Sequence, residues 1–131
     1  MKEVIAIIRP NRINATKKAM VEAGLPAFTG ARCMGRGRKP VEFELLKHLE
    51  GSGEDTADVL PALAQGGRLI QKRMLTIVVP DERVSAVVDV LMKANRTGQP
   101  GDGKIFVRPV IDVARIRTGE TGATAIDEMK G

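Results

Sequence analysis

The sequence predicts a ferredoxin-like α+β sandwich, in which an antiparallel sheet carries two helices on one face and a long loop interrupts the chain. The main observation is a repeated junction, Ile-Ile-Arg-Pro-Asn at 7–11 and Ile-Val-Val-Pro-Asp at 77–81. Each junction ends an apolar segment typical of a strand and precedes apolar residues at helical spacing. With 131 residues, the chain is long enough for one domain with one modest core. We therefore expect a βαββαβ order in a single domain spanning residues 1–131.

The first half begins with a strand over Lys2–Arg9, because this segment is rich in Ile and Val. A proline ends the strand, and Asn11 is a residue type that often caps a helix N-terminus. The helix is predicted to end near Ala23, since Gly24 is a typical residue just after a helix. A second strand is predicted over Ala27–Met34. The residues predicted to give this helix a partly apolar face are Ile13, Lys17, Met20 and Val21.

The second half repeats this order of elements. A strand is predicted over Met74–Val79, and Asp81 is the expected cap of the helix that follows. Ile105–Val107 and Val110–Ile116 are the predicted closing strands, with Pro109 at an edge or break between them. The core-facing stripe predicted for the second helix consists of Val84, Val87, Val88, Leu91 and Met92.

A long polar segment, Arg36–Lys72, separates the two halves and is punctuated by glycines. A loop of this length in a compact domain is usually functional or disordered. We therefore expect a mobile loop over residues 36–72 that recognises a partner, with helical spacing within Val41–Leu49. Residues 118–131 are small and polar, so we expect a flexible tail there.

Composition excludes several classes of protein. The net charge of +5 favours a polyanionic ligand, and the single cysteine, Cys33, allows no internal disulfide, which fits a cytoplasmic location. No apolar run reaches membrane-spanning length, so we expect no membrane insertion. The single histidine, His48, lies in the polar loop, and the sequence has neither metal-ligand spacing nor a nucleophile beside its base. We expect no metal site of the chain's own, no catalytic residue and no enzyme.

The strongest candidate site is a glycine-rich segment before the first closing strand. Thr97 is followed by Gly98, and Gly101-Asp102-Gly103-Lys104 comes soon after. Glycines let backbone N–H groups converge on an anion, and Lys104 adds a positive charge. Residues 98–104 also fit the beginning of a Walker A motif, but Ile105 stands where that motif needs Ser or Thr, and a strand follows rather than a helix. We therefore predict a phosphate cradle that is not a P-loop NTPase.

Two further basic clusters could contribute to the same site. Arg115 and Arg117 alternate around Ile116, so on a strand both would face one side of the sheet. The other cluster is Gly35-Arg36-Gly37-Arg38-Lys39, at the start of the polar loop. Taken alone, each cluster has an ordinary alternative: a glycine-rich turn, a solvated basic turn or surface salt bridges.

In combination, these segments resemble the PII nitrogen-signalling proteins. The resemblance rests on the glycine segment from Thr97 to Val107, on Arg-Ile-Arg-Thr-Gly-Glu at 115–120, and on the two proline junctions. It implies a trimer that binds ATP or ADP in clefts between subunits, 2-oxoglutarate as an effector, and a contribution from Mg²⁺. The nucleotide-binding residues that it implies are Ile7, Thr29, Gly35, Gly37, Arg38, Val78, Thr97, Gly101, Asp102, Gly103, Lys104, Arg115 and Arg117. Lys72 and Lys39 are the residues implied at the 2-oxoglutarate site.

The sequence departs from the usual family pattern at four points. Lys39 stands where the family has a Gln that helps to hold Mg²⁺ and 2-oxoglutarate, and Thr76 replaces a Glu beside the adenine. The chain has no Tyr, so the uridylylated tyrosine of many members is absent. The loop is also longer than usual, and together these features resemble the nitrogenase-linked branch of the family. That branch implies an assembly with a second PII-like chain, as a homo- or hetero-trimer or larger assembly, and the dinitrogenase component of nitrogenase as partner.

Two other functions remain open from the sequence. One is a PII protein that regulates an ammonium channel or another nitrogen-assimilation enzyme, since the fold and pocket would be the same. The other is an RNA-binding module, because RRM domains share this fold. The chain has no Trp or Tyr and only three Phe, too few for a base-stacking platform, so we expect no nucleic-acid partner.

Overall fold

The structure is a computed structural model that describes residues 1–25, 27–37 and 69–126. It contains strands β1 (Lys2–Ile8), β2 (Thr29–Gly35), β3 (Ile70–Val79) and β4 (Lys104–Pro109), and helices α1 (Ile13–Glu22) and α2 (Val84–Asn95). The strands form one sheet in the order β2-β3-β1-β4. This is the predicted βαββαβ arrangement. The chain divides into two compact units, one made of Met1–Cys33 with Lys72–Gly131 and the other of Met34–Gln71.

The central strand β1 sets the register of the sheet. It pairs antiparallel with β3, where Val4 lies opposite Ile77, and with β4, where Val4 lies opposite Val107. Side chains of a strand alternate between the two faces, so every second residue of β1 and β3 enters the core. The buried residues of this face are Val4, Ala6, Ile8, Leu75, Ile77 and Val79.

The two helices cover this buried face. Met20 of α1 and Val87 and Leu91 of α2 are at most 1% exposed and belong to the same core cluster. Helix α1 ends as predicted: Gly24 has φ of 75°, and the N–H groups of Gly24 and Leu25 donate to the carbonyls of Val21 and Met20. This is the Schellman arrangement, in which a left-handed glycine satisfies the last carbonyls of a helix.

Both predicted helix caps are wrong. Asn11 and Asp81 lie inside short 3-10 turns, Pro10–Arg12 and Asp81–Arg83, and no side chain caps α1 or α2. The reason at the first junction is that Pro10 has a fixed φ suited to the first helical position, so the turn begins there. The Asp81 carboxylate instead lies 3.0 Å from the amino terminus of Met1, a hydrogen-bonded contact that lowers the pKa of Asp81.

The predicted core stripes are correct in part. On α1, Lys17 and Val21 are exposed, and Thr16 is the residue that is buried beside Met20. On α2, Met92 is 39% exposed, whereas Asn95 is buried. Each helix therefore buries one polar residue that apolar spacing does not reveal.

Two predicted segments differ from the structure. Val110–Ile116 is not a strand, because after β4 the chain forms a hairpin in which Ala114 and Thr121 make an isolated bridge. Residues 118–126, predicted as part of a flexible tail, complete this hairpin and a 3-10 turn over Gly122–Ala125.

The predicted loop over residues 36–72 ends earlier than expected. Strand β3 begins at Ile70, so the last residues of the predicted loop lie in a strand. The predicted helical spacing at 41–49 lies outside the described residues.

The buried polar residues join the two helices. The Thr16 hydroxyl donates to the carbonyl of Arg12 at 2.7 Å, and the Asn95 amide donates to Thr16 Oγ1 at 3.1 Å and to the carbonyl of Leu91 at 2.9 Å. A buried polar group is stabilising only while its hydrogen bonds are made. The pair therefore fixes how α1 and α2 meet.

We predict that Thr16→Val, which keeps the side-chain shape, lowers the free energy of unfolding by about 1–3 kcal/mol, because Asn95 loses its buried acceptor. The double change Thr16→Val with Asn95→Leu should recover part of this loss, since no unpaired polar group then remains at the contact. Urea unfolding of the two variants measures both effects. A loss for Thr16→Val below about 0.5 kcal/mol would show that the pair contributes little beyond its packing.

Candidate functional site

The glycine-rich segment from Thr97 to Lys104 links α2 to β4 and is organised by the Asp102 carboxylate. The backbone N–H groups of Thr97 and Gly98 donate to Asp102 Oδ2 at 2.9 and 3.0 Å, and the Thr97 hydroxyl donates to Oδ1. These hydrogen bonds hold the pKa of Asp102 well below its usual range, with the Thr97 hydroxyl as the largest cause. Asp102 therefore remains a carboxylate and closes the segment into a compact loop, which we call the glycine loop.

Arg9 clamps the glycine loop from the end of β1. Its Nη1 lies 2.6 Å from Asp102 Oδ1, and its Nη2 donates to the carbonyl of Pro100 at 3.0 Å. A guanidinium donates in two directions at fixed geometry, so it holds a carboxylate and a carbonyl together. Sequence reasoning did not assign Arg9 a role. Arg9 lies directly after β1, and its role could have been predicted only if the pairing of β1 with β4 had been known.

Two glycines of this loop are required by their surroundings. Gly103 has φ of 106°, and a Cβ at that position would lie 1.8 Å from the carbonyl oxygen of Ile7. Gly101 has φ of 98°, and a Cβ there would lie 3.3 Å from Arg9 Nη2. Both positions lie in the left-handed region that favours glycine. The glycine loop is thus packed directly against the end of β1.

Two lysines adjoin the loop. Lys72, near the start of β3, donates from Nζ to the carbonyl of Gly101 at 3.0 Å. Lys104 is the first residue of β4, lies opposite Ile7 in the register and is exposed. Seven predicted site residues thus meet here: Ile7, Lys72, Thr97, Gly101, Asp102, Gly103 and Lys104. The Asp102 carboxylate is an anion that already accepts several hydrogen bonds, and we interpret this side chain as the organiser of the loop. A role of Asp102 in nucleotide binding, through its backbone N–H, stays a prediction.

A second group of predicted residues lines a cavity of about 910 Å³ toward the opposite end of the sheet. Thr29, Val78, Arg115 and Arg117 all contribute to its wall, together with Thr76 and Glu120. Both arginines reach the same cavity even though they lie in a turn and not on the predicted strand. The side chain of Ile116 between them points away and is fully exposed.

Arg115 also holds the C-terminal hairpin together. Its Nη1 donates to Glu120 Oε1 at 2.9 Å, and its Nη2 donates to the carbonyl of Thr124 at 2.9 Å. The side chain of Arg115 is only 12% exposed, whereas that of Glu120 is 45% exposed. The hairpin therefore presents a positioned guanidinium to the cavity together with its own counter-ion.

The two groups lie at different ends of the same strands. Ile7 lies opposite Lys104, whereas Val78 lies opposite Glu3, four residues earlier on β1. At the rise of an antiparallel strand, four residues correspond to about 13 Å. The described chain therefore forms two half-sites: a loop half-site, made by the glycine loop, Ile7, Arg9 and Lys72, and a cavity half-site, made by Thr29, Val78, Arg115 and Arg117.

The sequence also predicts four further site residues. Gly35 and Gly37 lie in the compact unit Met34–Gln71, where a Cβ on either would meet nothing within 4 Å. Arg38 and Lys39 lie outside the described residues. Within residues 1–25, 27–37 and 69–126, no group of His, Cys, Asp and Glu side chains could hold a metal ion. The helices in those ranges are too short or too polar to cross a membrane.

Comparisons with known proteins agree with the fold and the motifs. The family model described as "Nitrogen regulatory protein P-II" matches residues 1–120. The "Nitrogen fixation nifHD region GlnB-like protein 2" of Methanothermococcus thermolithotrophicus is 46% identical over 132 residues, covering 96% of this chain and 98% of that protein. The "Nitrogen regulatory protein P-II" of Nostoc punctiforme is 40% identical over 126 residues, covering 96% of this chain and all of that protein. The structure of Arabidopsis thaliana PII bound to citrate has a TM-score of 0.71 at 32% identity, covering 99% of this chain and 92% of that one.

We predict that Asp102→Asn makes the stability of the protein less sensitive to acid. The folded-state pKa of Asp102 is depressed, so its contribution is complete above its unfolded-state pKa of about 4 and is lost as pH falls below that value. Urea unfolding should show a deficit for Asp102→Asn at pH 7 that shrinks toward pH 3. Asp89→Asn, which removes an exposed carboxylate paired with Lys93 on α2, is the matched control. A deficit for Asp102→Asn that does not change with pH would contradict this role of the carboxylate.

Proposed function

The chain belongs to the nitrogen regulatory protein P-II family, and from this premise we propose that it is a nitrogen-status sensor that binds ATP or ADP and 2-oxoglutarate and regulates nitrogenase. The role is regulatory and not catalytic. The observation that carries the proposal is the pair of half-sites, one with a glycine loop and Lys104, the other with Arg115 and Arg117. Both have groups suited to a polyphosphate, and neither contains a nucleophile with its base.

The nucleotide site is proposed to form between copies of the chain. A polyphosphate needs several positive charges at once, and the loop half-site and the cavity half-site are about 13 Å apart along β1. In a ring of subunits, one copy's loop half-site can meet its neighbour's cavity half-site, because a head-to-tail interface joins different surfaces. This supports a trimer, with a homo- or hetero-trimeric composition, as the binding form.

Phosphates are proposed to bind to the backbone N–H groups of Gly101–Lys104 and to the side chains of Lys104, Arg115 and Arg117. A loop with successive left-handed glycines can direct its N–H groups toward an anion. Ile7, Thr29, Val78 and Thr97 would surround the nucleoside, and Gly35, Gly37 and Arg38 would cover it. Mg²⁺ would be held by the phosphates of ATP, because a lysine such as Lys39 is a donor only and cannot ligate a metal.

The effector 2-oxoglutarate is proposed to bind beside the glycine loop. Lys72 Nζ already lies 3.0 Å from the carbonyl of Gly101, and Arg9 lies on the same loop. Two cations that contact the same loop suit a dicarboxylate, with Lys39 as a further candidate. The citrate named with the Arabidopsis thaliana structure is also a small polycarboxylate, which supports a site for such anions in this family.

Nitrogenase is proposed as the target because relatives at 46% and 45% identity are named for the nifHD region of nitrogen fixation. The segment over residues 36–72 would contact the dinitrogenase component in an assembly that includes a second PII-like chain. Control by uridylylation is excluded, since the chain has no Tyr. Regulation must then come from ligands that favour one state of this segment over another.

We predict that Lys104→Ala and Arg117→Ala each weaken ATP binding about tenfold or more, because each removes a charge-assisted contact of roughly 1.5–3 kcal/mol. Co-refolding the two variants should restore binding in part. If each site takes Lys104 from one copy and Arg117 from its neighbour, random trimers from an equal mixture contain about one quarter intact sites. Calorimetry with ATP measures the affinity and the stoichiometry.

The same experiment contains its own controls. Each variant refolded alone should show no high-affinity sites, which sets the baseline for the mixture. A mixture without restored sites would show that each site lies within one chain. Normal ATP binding by both single variants would show that neither half-site binds the nucleotide.

We predict that a pull-down from nitrogen-fixing cells recovers the dinitrogenase component with the wild-type protein and loses it when Val41–Gln65 is replaced by a short Gly/Ser linker. ATP with excess 2-oxoglutarate should release the component from the wild-type protein. Lys72→Met, which keeps the segment but removes a cation of the proposed effector site, should bind the component and resist release. Quantitative mass spectrometry of the eluates measures all three.

Two outcomes would contradict this assignment. Retention of nitrogenase by the linker variant would place the contact elsewhere on the chain. Recovery of an ammonium channel in place of nitrogenase would instead support the alternative PII function.

A further inference from the structure

Arg115 and Glu120 form an ion pair inside the cavity half-site. Arg115 Nη1 lies 2.9 Å from Glu120 Oε1, and both residues line the same cavity as Arg117. The carboxylate is the more exposed partner, at 45% against 12% for the arginine. An anion that approaches Arg115 from the cavity therefore meets a guanidinium that already has a negative partner.

The hairpin fixes the position of this carboxylate. The N–H of Arg115 donates to the carbonyl of Glu120 at 2.8 Å, and the N–H of Gly119 donates to the carbonyl of Arg115 at 2.8 Å. The bridge between Ala114 and Thr121 continues the same pairing. Since the two residues are held opposite each other by the backbone, the carboxylate cannot leave the arginine without opening the hairpin or changing its rotamer.

We infer that Glu120 is an internal competitor of the bound polyphosphate, which sets the nucleotide affinity of this site below what its arginines alone would give. The inference rests on the proposed function, because it assigns Glu120 a part in that same site. Glu120 contacts Arg115 and not the ligand, so it is an affinity-setting residue that acts through the arginine. An ion pair near the surface contributes little free energy, so competition between the Glu120 carboxylate and a phosphate for Arg115 adjusts binding without abolishing it.

The charge of Glu120 can be separated from its structural contact. Glu120→Gln keeps an oxygen that accepts from Arg115 Nη1, while the hydrogen bond from Arg115 Nη2 to the carbonyl of Thr124 does not involve Glu120. The backbone bonds of the hairpin are also independent of the side chain. Glu120→Gln should therefore keep Arg115 in place and remove only the competing charge.

The test is calorimetric binding of ATP, and separately of inorganic tripolyphosphate, to the full-length wild type, Glu120→Gln and Asp89→Asn. Glu120→Gln should bind both ligands about fivefold more tightly at low salt, with a smaller gain at high salt. Asp89→Asn removes the same amount of negative charge at the exposed pair on α2 and should change affinity less than twofold. In an Arg115→Gln background, the additional change Glu120→Gln should give no gain, because the competition acts through Arg115.

The outcomes are distinguishable. Equal or weaker binding by Glu120→Gln, an equal gain in Asp89→Asn, or a gain that persists without Arg115 would each overturn the inference while leaving the nucleotide proposal intact. Thermal unfolding of each variant shows whether the fold is retained. Glu120→Asp, which keeps the charge, should show no gain in affinity, and a gain in this variant would contradict the inference even if Glu120→Gln is poorly folded. A wild-type protein that binds neither ATP nor tripolyphosphate would overturn both proposals.

Discussion

The pairing of β1 on both of its edges is the constraint from which both half-sites follow. At one end, the register brings Ile7 opposite Lys104, and the glycine loop must then pass over the carbonyl of Ile7 with no room for a side chain. At the other end, it brings Glu3 opposite Val78, beside the cavity that the C-terminal hairpin completes. Backbone hydrogen bonds in a buried ladder are costly to break, so the separation of the half-sites is a fixed property of the fold. This separation is the reason why the nucleotide is proposed to bind between copies of the chain.

Within the glycine loop, the Asp102 side chain organises the backbone. Asp102 is surrounded by donors from Thr97, Gly98 and Arg9, which satisfy its charge and give the loop one conformation. A preformed loop loses less conformational freedom when an anion binds than a flexible one would. The Asp102 carboxylate also puts a negative charge close to the proposed phosphates. The guanidinium of Arg9, at the end of β1, offsets that charge. For this reason Arg9, at the end of β1, contacts the glycine loop although the two are far apart in the sequence.

The sequence predicted the features that depend on local pattern. The two proline junctions indicated both strand–helix units, and Gly24 indicated where α1 ends. What failed depends on contacts between distant residues. Arg9 reaches the glycine loop through the pairing of β1 with β4, and the buried Thr16 hydroxyl accepts a hydrogen bond from Asn95 on the other helix. The predicted strand over Val110–Ile116 failed because only Val110 bonds toward the sheet, with its N–H donating to the carbonyl of Met1, whereas the backbone bonds of Val113 and Arg115 close on the hairpin. Both arginines nevertheless line one cavity, as they would from a strand.

Three cationic groups of the two half-sites are already engaged by the chain's own oxygens. Lys72 holds a carbonyl of the glycine loop, Arg9 holds Asp102, and Arg115 holds Glu120. Binding of an anion at these groups would therefore exchange one set of partners for another, and the net free energy would be a small difference between similar terms. Such a balance suits a sensor, because its occupancy changes most at ligand concentrations near the Kd, and a compensated site has a higher Kd than an uncompensated one would have. Lys72 lies near the start of β3, at the end of the segment that is proposed to contact nitrogenase. Under the proposed function, an anion that replaced the Gly101 carbonyl at Lys72 would therefore act at the end of that segment in the sequence.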